Sequence, residues 1–224
     1  MIDVSSSWLF LDASGVTVRA GVWQNARWLG WRESEAPALE AIFAQVRGVL
    51  AKAQLPLDKI DGYLYVEGPG SVLGLRLAAM AIRAWQTDEA ARSGGTIKPV
   101  LACGTLPLAA ALALAGGTPP PFAVFTEARQ GHWHVLDVKE GESPPDGDKE
   151  PREVGENGLP AGALFHLPAR KAWHQPPSQA QPMSASLRDH PEILSHLNLF
   201  RPVETPTPYA GHPPEYKKWV APKS

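Results

Sequence analysis

Two stretches of this chain are written to the same plan. Residues 8–23 read WLFLDASGVTVRAGVW, and residues 121–138 read PFAVFTEARQGHWHVLDV. In each, an apolar run rich in strand formers ends on an acid, a small residue and a tight turn follow, and an alternating strand leaves the turn. The acids are Asp12 and Glu127. An internal repeat constrains topology more than any single element does, because each copy needs equivalent neighbours to bury its apolar strand. The repeat predicts two related lobes that face each other, each opening on antiparallel strands with a carboxylate at the first turn.

Between the copies the hydrophobic period changes. ARWLGWRE (26–33) continues the first pair across a turn at Gln24-Asn25, giving a three-stranded meander. Then Leu39, Ile42, Phe43, Val46, Val49, Leu50 and Ala53 recur at three and four, the mark of an amphipathic helix over 39–53 with Glu40, Arg47 and Lys52 outside. GYLYVEG (62–68) reads as a strand, residues 71–91 as a second helix, and PVLACG (99–104) as a further strand. Thr105 is placed to cap a third helix over 106–115, which Gly116-Gly117 and Pro119 to Pro121 stop. Strands alternating with helices predict an α/β fold. Beyond residue 142 the texture shifts: 14 of the 23 prolines lie between 143 and 214, so the second lobe should be small and loop-rich. GALFHL and HPEILSHLNLF supply a strand and a short helix there. The expected division is a first lobe over 1–118 and a smaller, proline-rich lobe over 119–224.

Composition excludes several classes. The formal charge is −2, so no basic field is available to hold a nucleic acid unaided. The single cysteine, Cys103, sits inside an apolar run and reads as a small core residue; with no disulfide available, a reducing cytoplasm is the expected compartment. The first residues lack the basic start of a signal peptide, and LPLAAALALAGG is too short to span a bilayer. His132 and His134 share one strand face, but two imidazoles are too few for zinc, and no Gly-x-Ser-x-Gly elbow occurs.

Two segments carry more specific information. EGPGSVLGLR (67–76) takes a strand through Gly68, Gly70 and Ser71 into a helix N-terminus, an arrangement in which backbone N–H groups converge where an anion can sit. Its spacing is neither that of a P-loop nor that of a dinucleotide fingerprint, so an anion cradle and a plain tight turn both remain open. The helix that follows is apolar nearly all round, with only Arg76 and Arg83 charged before Gln86. Such a helix is buried inside its own fold or covered by another chain, in which case Ala78, Ala79 and Ala81 would admit a partner helix closely.

The string Gly68-Pro69-Gly70-Ser71-Val72-Leu73-Gly74-Leu75-Arg76 resembles the signature of the TsaB (YeaZ) family, accessory proteins of threonylcarbamoyladenosine formation in tRNA. Leu11-Asp12-Ala13-Ser14 is similar to that family's Asp-Thr-Ser, Glu127-Ala128-Arg129-Gln130-Gly131 to its Asp-Ala-Arg-x-Gly, and Pro214-Glu215-Tyr216-Lys217-Lys218 to its closing Pro-x-Tyr-Leu-Arg. The resemblance implies a two-lobed ASKHA (actin/Hsp70/RNase H-like) fold and a subunit with no catalytic residues or metal of its own. In that family a related subunit, TsaD, carries the metal site and the transfer reaction. TsaB pairs with TsaD through the helices that correspond here to 39–53 and 71–91, which nominates Ile42, Val46, Leu75, Arg76, Ala79, Met80 and Arg83 as contacts. TsaE joins as an ATPase, ATP or ADP with magnesium belongs at the complex interface, tRNA is met only through the complex, and a homodimer through the same surface is expected when TsaD is absent. A nucleotide or anion site would draw on Asp12, Ser14, Gly68, Gly70, Ser71, Glu127 and Arg129. The chain departs from the family at Ser34-Glu35-Ala36-Pro37, where a His-Ser pair is usual, in its short first turn, and in Glu127 for Asp. These departures touch a nucleotide site more than a docking surface. The rival reading is a stand-alone ASKHA-fold enzyme in which Asp12 and Glu127 position a metal-nucleotide; a peptidase has no nucleophile or metal spacing to rest on.

Overall fold

The computed structural model describes residues 3, 5–129, 131–142, 145–169, 172, 175–196 and 198–209. The motif at 214–218 lies outside the described residues. The first lobe opens with β1 (Trp8–Asp12), β2 (Val18–Gln24) and β3 (Arg27–Ser34) as an antiparallel meander. Then come α1 (Ala38–Ala53), β4 (Gly62–Gly68), α2 (Val72–Ser93), β5 (Val100–Gly104) and α3 (Thr105–Ala115). The second lobe holds β6 (Phe122–Glu127), β7 (His132–Val138), β8 (Arg152–Gly155), β9 (Ala163–His166) and β10 (Gln181–Pro182), followed by α4 (Ile193–His196) and β11 (Arg201–Val203).

The two sheets repeat each other strand for strand. The first runs β11-β5-β4-β1-β2-β3 and the second β10-β9-β6-β7-β8. In both, the first strand of the lobe lies antiparallel to the second and parallel to the fourth, and the fourth is parallel to the fifth. The duplication read from two strands therefore extends to five, and the architecture is the two-lobed ASKHA fold. Among the described residues, no helix occupies the crossovers that correspond to α1 and α2: residues 156–162 join β8 to β9, and the described part of the β9–β10 connection is likewise without one. Those loops carry Leu159 and Ala180 over the apolar row Ala123, Phe125, Trp133, Val135 and Leu164.

Burial on both faces explains the continuous apolar strands. Along β1, Leu9 and Leu11 face α1 and α2, while Trp8 and Phe10 face α3. Strand β4 alternates the same way, with Tyr63 and Tyr65 on one side and Leu64 and Val66 on the other. Helix α3 is the common centre: residues 105–113 are all buried, and one core joins it to Phe10 of the first sheet and to Val124 and Leu136 of the second. Thr105 does not cap this helix as the sequence suggested. It is the first helical residue, Gly104 takes the cap position, and no side chain caps the end. The lobes are further tied where the indoles of Trp23 and Trp28 donate to the carbonyls of Pro191 and Leu187.

Candidate functional site

Two regions merit a site's description, and the first is the cleft between the lobes. It encloses about 740 Å³ and is lined by Ser14, Arg19, Gly70, Ser71, Thr105 and Glu127, among others. Of the residues nominated for an anion, Ser14, Gly70, Ser71 and Glu127 are brought together here. Asp12 lies just behind the wall with no exposed surface. Gly68, with φ of 119°, turns the other way and lines a separate hollow with Glu67, Arg201 and Tyr209. Arg129 is exposed on the β6–β7 turn, where its Nε donates to Glu153 at 2.7 Å, and does not line the cleft.

Both oxygens of Asp12 are engaged by its own chain. Its Oδ1 accepts from the backbone N–H of Ser14 at 2.8 Å and from the Ser14 hydroxyl at 2.7 Å. Its Oδ2 accepts from Arg19 Nη1 at 2.9 Å. The buried guanidinium goes on to Ser184 across the cleft, 2.8 Å from Nη2 to Oγ, with Glu33 3.5 Å from Nε. The Asp12 carboxylate is thus paired with a buried cation of the protein's own. Arg19 was not among the residues nominated from the sequence. The hairpin register places it directly opposite Asp12, so counting outward from the turn would have found it.

The glycine-rich turn is used for packing against this same β1–β2 turn. The Ser71 N–H donates to the Ser14 carbonyl at 2.7 Å. A Cβ on Gly70 would fall on that carbonyl, and one on Gly74 would fall on the carbonyl of Ala13. Ser71 caps α2 by accepting from the Gly74 N–H at 3.3 Å. The close approach that glycine permits is thus spent within the chain. Across the cleft, burial holds the His166 imidazole below its ordinary pKa, with the Glu127 charge acting in the opposite sense. Burial also pushes the Cys103 thiol well up, which agrees with a core residue. Among the described residues no group of three His, Cys, Asp or Glu is placed to hold a metal ion.

The second region is the outer face of α1 and α2, which pack side by side on the first sheet with Phe43 and Trp85 edge to face, ring centroids 6.2 Å apart. Here the structure sorts the nominated contacts. Ile42, Val46, Leu75 and Ala79 point inward and are at most 3% exposed, so they shape the helices without reaching a partner. These four nominated residues are therefore buried within their own chain, Ile42 and Val46 in the core beneath α1. Arg76, Met80 and Arg83 remain outside, with Met80 62% exposed. The sequence reading missed Leu39, 64% exposed, and Phe43, 46% exposed, on α1. Their place in the apolar periodicity disguised them as core. Val72 and Leu73 are exposed at the start of α2, beside the mouth of the cleft.

No family model matches the chain, and no curated protein does. Solved structures do. YeaZ from Pseudomonas aeruginosa is similar at 22% identity, with a TM-score of 0.51 over 72% of this chain and 75% of that one. A protein titled as uncharacterised, with similarity to peptidase YeaZ from Pseudomonas aeruginosa, reaches 21% identity and a TM-score of 0.52 over 72% and 74%. At this level of identity the likeness is one of fold. The chain has a YeaZ-like, two-lobed α/β fold.

Proposed function

We propose that this protein is a partner subunit of the TsaB kind, without chemistry of its own, that docks a TsaD-like threonylcarbamoyltransferase through the outer face of α1 and α2. One observation carries the reading. Among the described residues six large apolar side chains are exposed; Leu39, Phe43 and Met80 lie on the outer face of these two adjacent helices, and Val72 and Leu73, at the start of α2, also line the cleft. Apolar surface gathered in this way on an otherwise well-covered fold marks a surface that another chain covers. The committed state of Asp12 supports the same reading, because a stand-alone nucleotide enzyme would have to break the pair with Arg19 before a metal could bind. On this account a TsaE-like ATPase, nucleotide with magnesium, and tRNA meet the protein only as parts of the larger complex, in the cytoplasm.

Size-exclusion chromatography of the chain with the TsaD-like subunit of the same organism tests the proposal. A stable complex is expected from the wild type and none from Met80→Asp, whose exposed position leaves the fold intact. Leu75→Asp is unsuitable for the purpose, since Leu75 is 3% exposed and a charge there would disrupt the core. Co-elution of Met80→Asp like the wild type would refute the assignment of this face. Calorimetry with ATP and magnesium tests the rival: binding and turnover by the isolated chain would favour an enzyme.

A further inference from the structure

The cleft between the lobes holds a buried polar group with nothing to bond to. Thr105, the first residue of α3, lines the cleft and is 5% exposed, yet its hydroxyl has no hydrogen-bond partner among the described residues. Buried hydroxyls are nearly always paired, so one left alone calls for an occupant. The helix it begins has the same need. The first turn of an α-helix leaves N–H groups without intrahelical acceptors, and no side chain caps α3. Both features want an acceptor from outside the chain. The space for one is there, since the cleft volume of about 740 Å³ falls in the range of roughly 300–1,000 Å³ typical of small-molecule sites.

The charges of the cleft decide what the acceptor belongs to. Arg19 is the one cation among the described lining residues, and Asp12, Glu33 and Ser184 already hold it. Glu35 and Glu127 add two carboxylates to the lining. A phosphate would meet those acids with no uncommitted cation to answer them. A cation would meet the positive end of α3. Much of the remaining lining is apolar, with Val16, Leu167 and Met183 among it. We propose that the cleft binds a small uncharged ligand with an apolar body and an amide or ketone carbonyl. The carbonyl oxygen accepts from the Thr105 hydroxyl at the N-terminus of α3, and the body lies against Val16, Leu167 and Met183. Binding involves no covalent step. The inference stands whether or not another chain covers α1 and α2.

Methyl NMR of the full chain tests it with benzamide, benzoate, phenyl phosphate and benzylamine, probes that share a ring and differ in the charge of the head group. Benzamide should shift the methyl resonances of Val16, Leu167 and Met183, and the three charged probes should bind more weakly. Thr105→Val keeps the shape and removes the hydroxyl, and should weaken benzamide about fivefold, the worth of one neutral hydrogen bond. Thr105→Ser, which keeps the hydroxyl, should restore most of that affinity. Without probe, Thr105→Val should melt no lower than the wild type, because no bond within the chain is lost. A lower melting temperature would show the hydroxyl bonded internally and overturn the inference. Equal benzamide binding by Thr105→Val and the wild type would overturn it too, as would cleft methyls that do not respond to benzamide. A stronger response to phenyl phosphate, or to ATP with magnesium, would overturn it in favour of an anionic ligand. None of these results touches the docking reading, which Met80→Asp tests separately.

Discussion

Arg19 shows how much one side chain decides. Its side chain is 9% exposed, at the cleft wall, against an Asp12 carboxylate with no exposure, so the carboxylate has no water to fall back on and the guanidinium little. Breaking a buried pair from one side leaves the other charge uncompensated, at a cost of about 3–5 kcal/mol. Arg19→Met should therefore lose stability of about that size in urea unfolding, while Asp12→Asn/Arg19→Met should recover most of it; equal losses in the single and double variants would deny the coupling. Arg19 was hidden in the sequence because an arginine on an alternating strand reads as solvent-facing, and only Ser184, 165 residues on, closes over it. His166 offers a second test. Burial lowers its folded pKa, so the unfolded chain binds the proton more readily. Its contribution to stability is complete above the ordinary histidine value of about 6.5 and is lost as the pH falls below it. His166→Phe, which keeps a ring against Phe125 and Trp133, should flatten the decline of the melting temperature between about pH 7 and 5 relative to the wild type. Identical slopes would contradict this.

At the scale of elements, the two long helices and the strands of the first lobe were legible because their periods are clean. The apolar positions of α1 recur at three and four, and β2 alternates Val18, Ala20 and Val22 toward one core. The sequence marked α2 as too apolar for a one-sided helix, and burial resolves the ambiguity: Ala78, Ala81 and Ile82 serve the sheet while Met80 stays outside. The all-round buried helix is α3, whose small alanines let both sheets approach it. Its cap was misread because a threonine before an apolar run is an N-cap signal, whereas here Gly104 ends β5 and begins the helix in one step. For α2 the Ser71 cap is real but long, so Ser71→Ala should cost about 1 kcal/mol, measured by chemical unfolding. A loss several times larger would mean that the hydroxyl does more than cap.

For the whole molecule, the repeat was the most informative signal, since two similar strand pairs foretold two sheets of the same order. The helix-poor crossovers of the second lobe were foreshadowed by the prolines beyond residue 142, but their covering of Phe125 and Trp133 was not, because loops carry no period. The shared core around α3 and the indole bonds to Leu187 and Pro191 join the lobes firmly. A molecule built in this way presents its outer helices as a fixed surface and keeps its cleft acid occupied. Hydrogen exchange on the chain with and without the TsaD-like subunit measures this most directly. The account predicts protection of α1 and α2 on mixing, with the cleft segments around 14–17 and 126–128 unchanged. Protection confined to the cleft segments, with α1 and α2 exchanging as in the free protein, would contradict it.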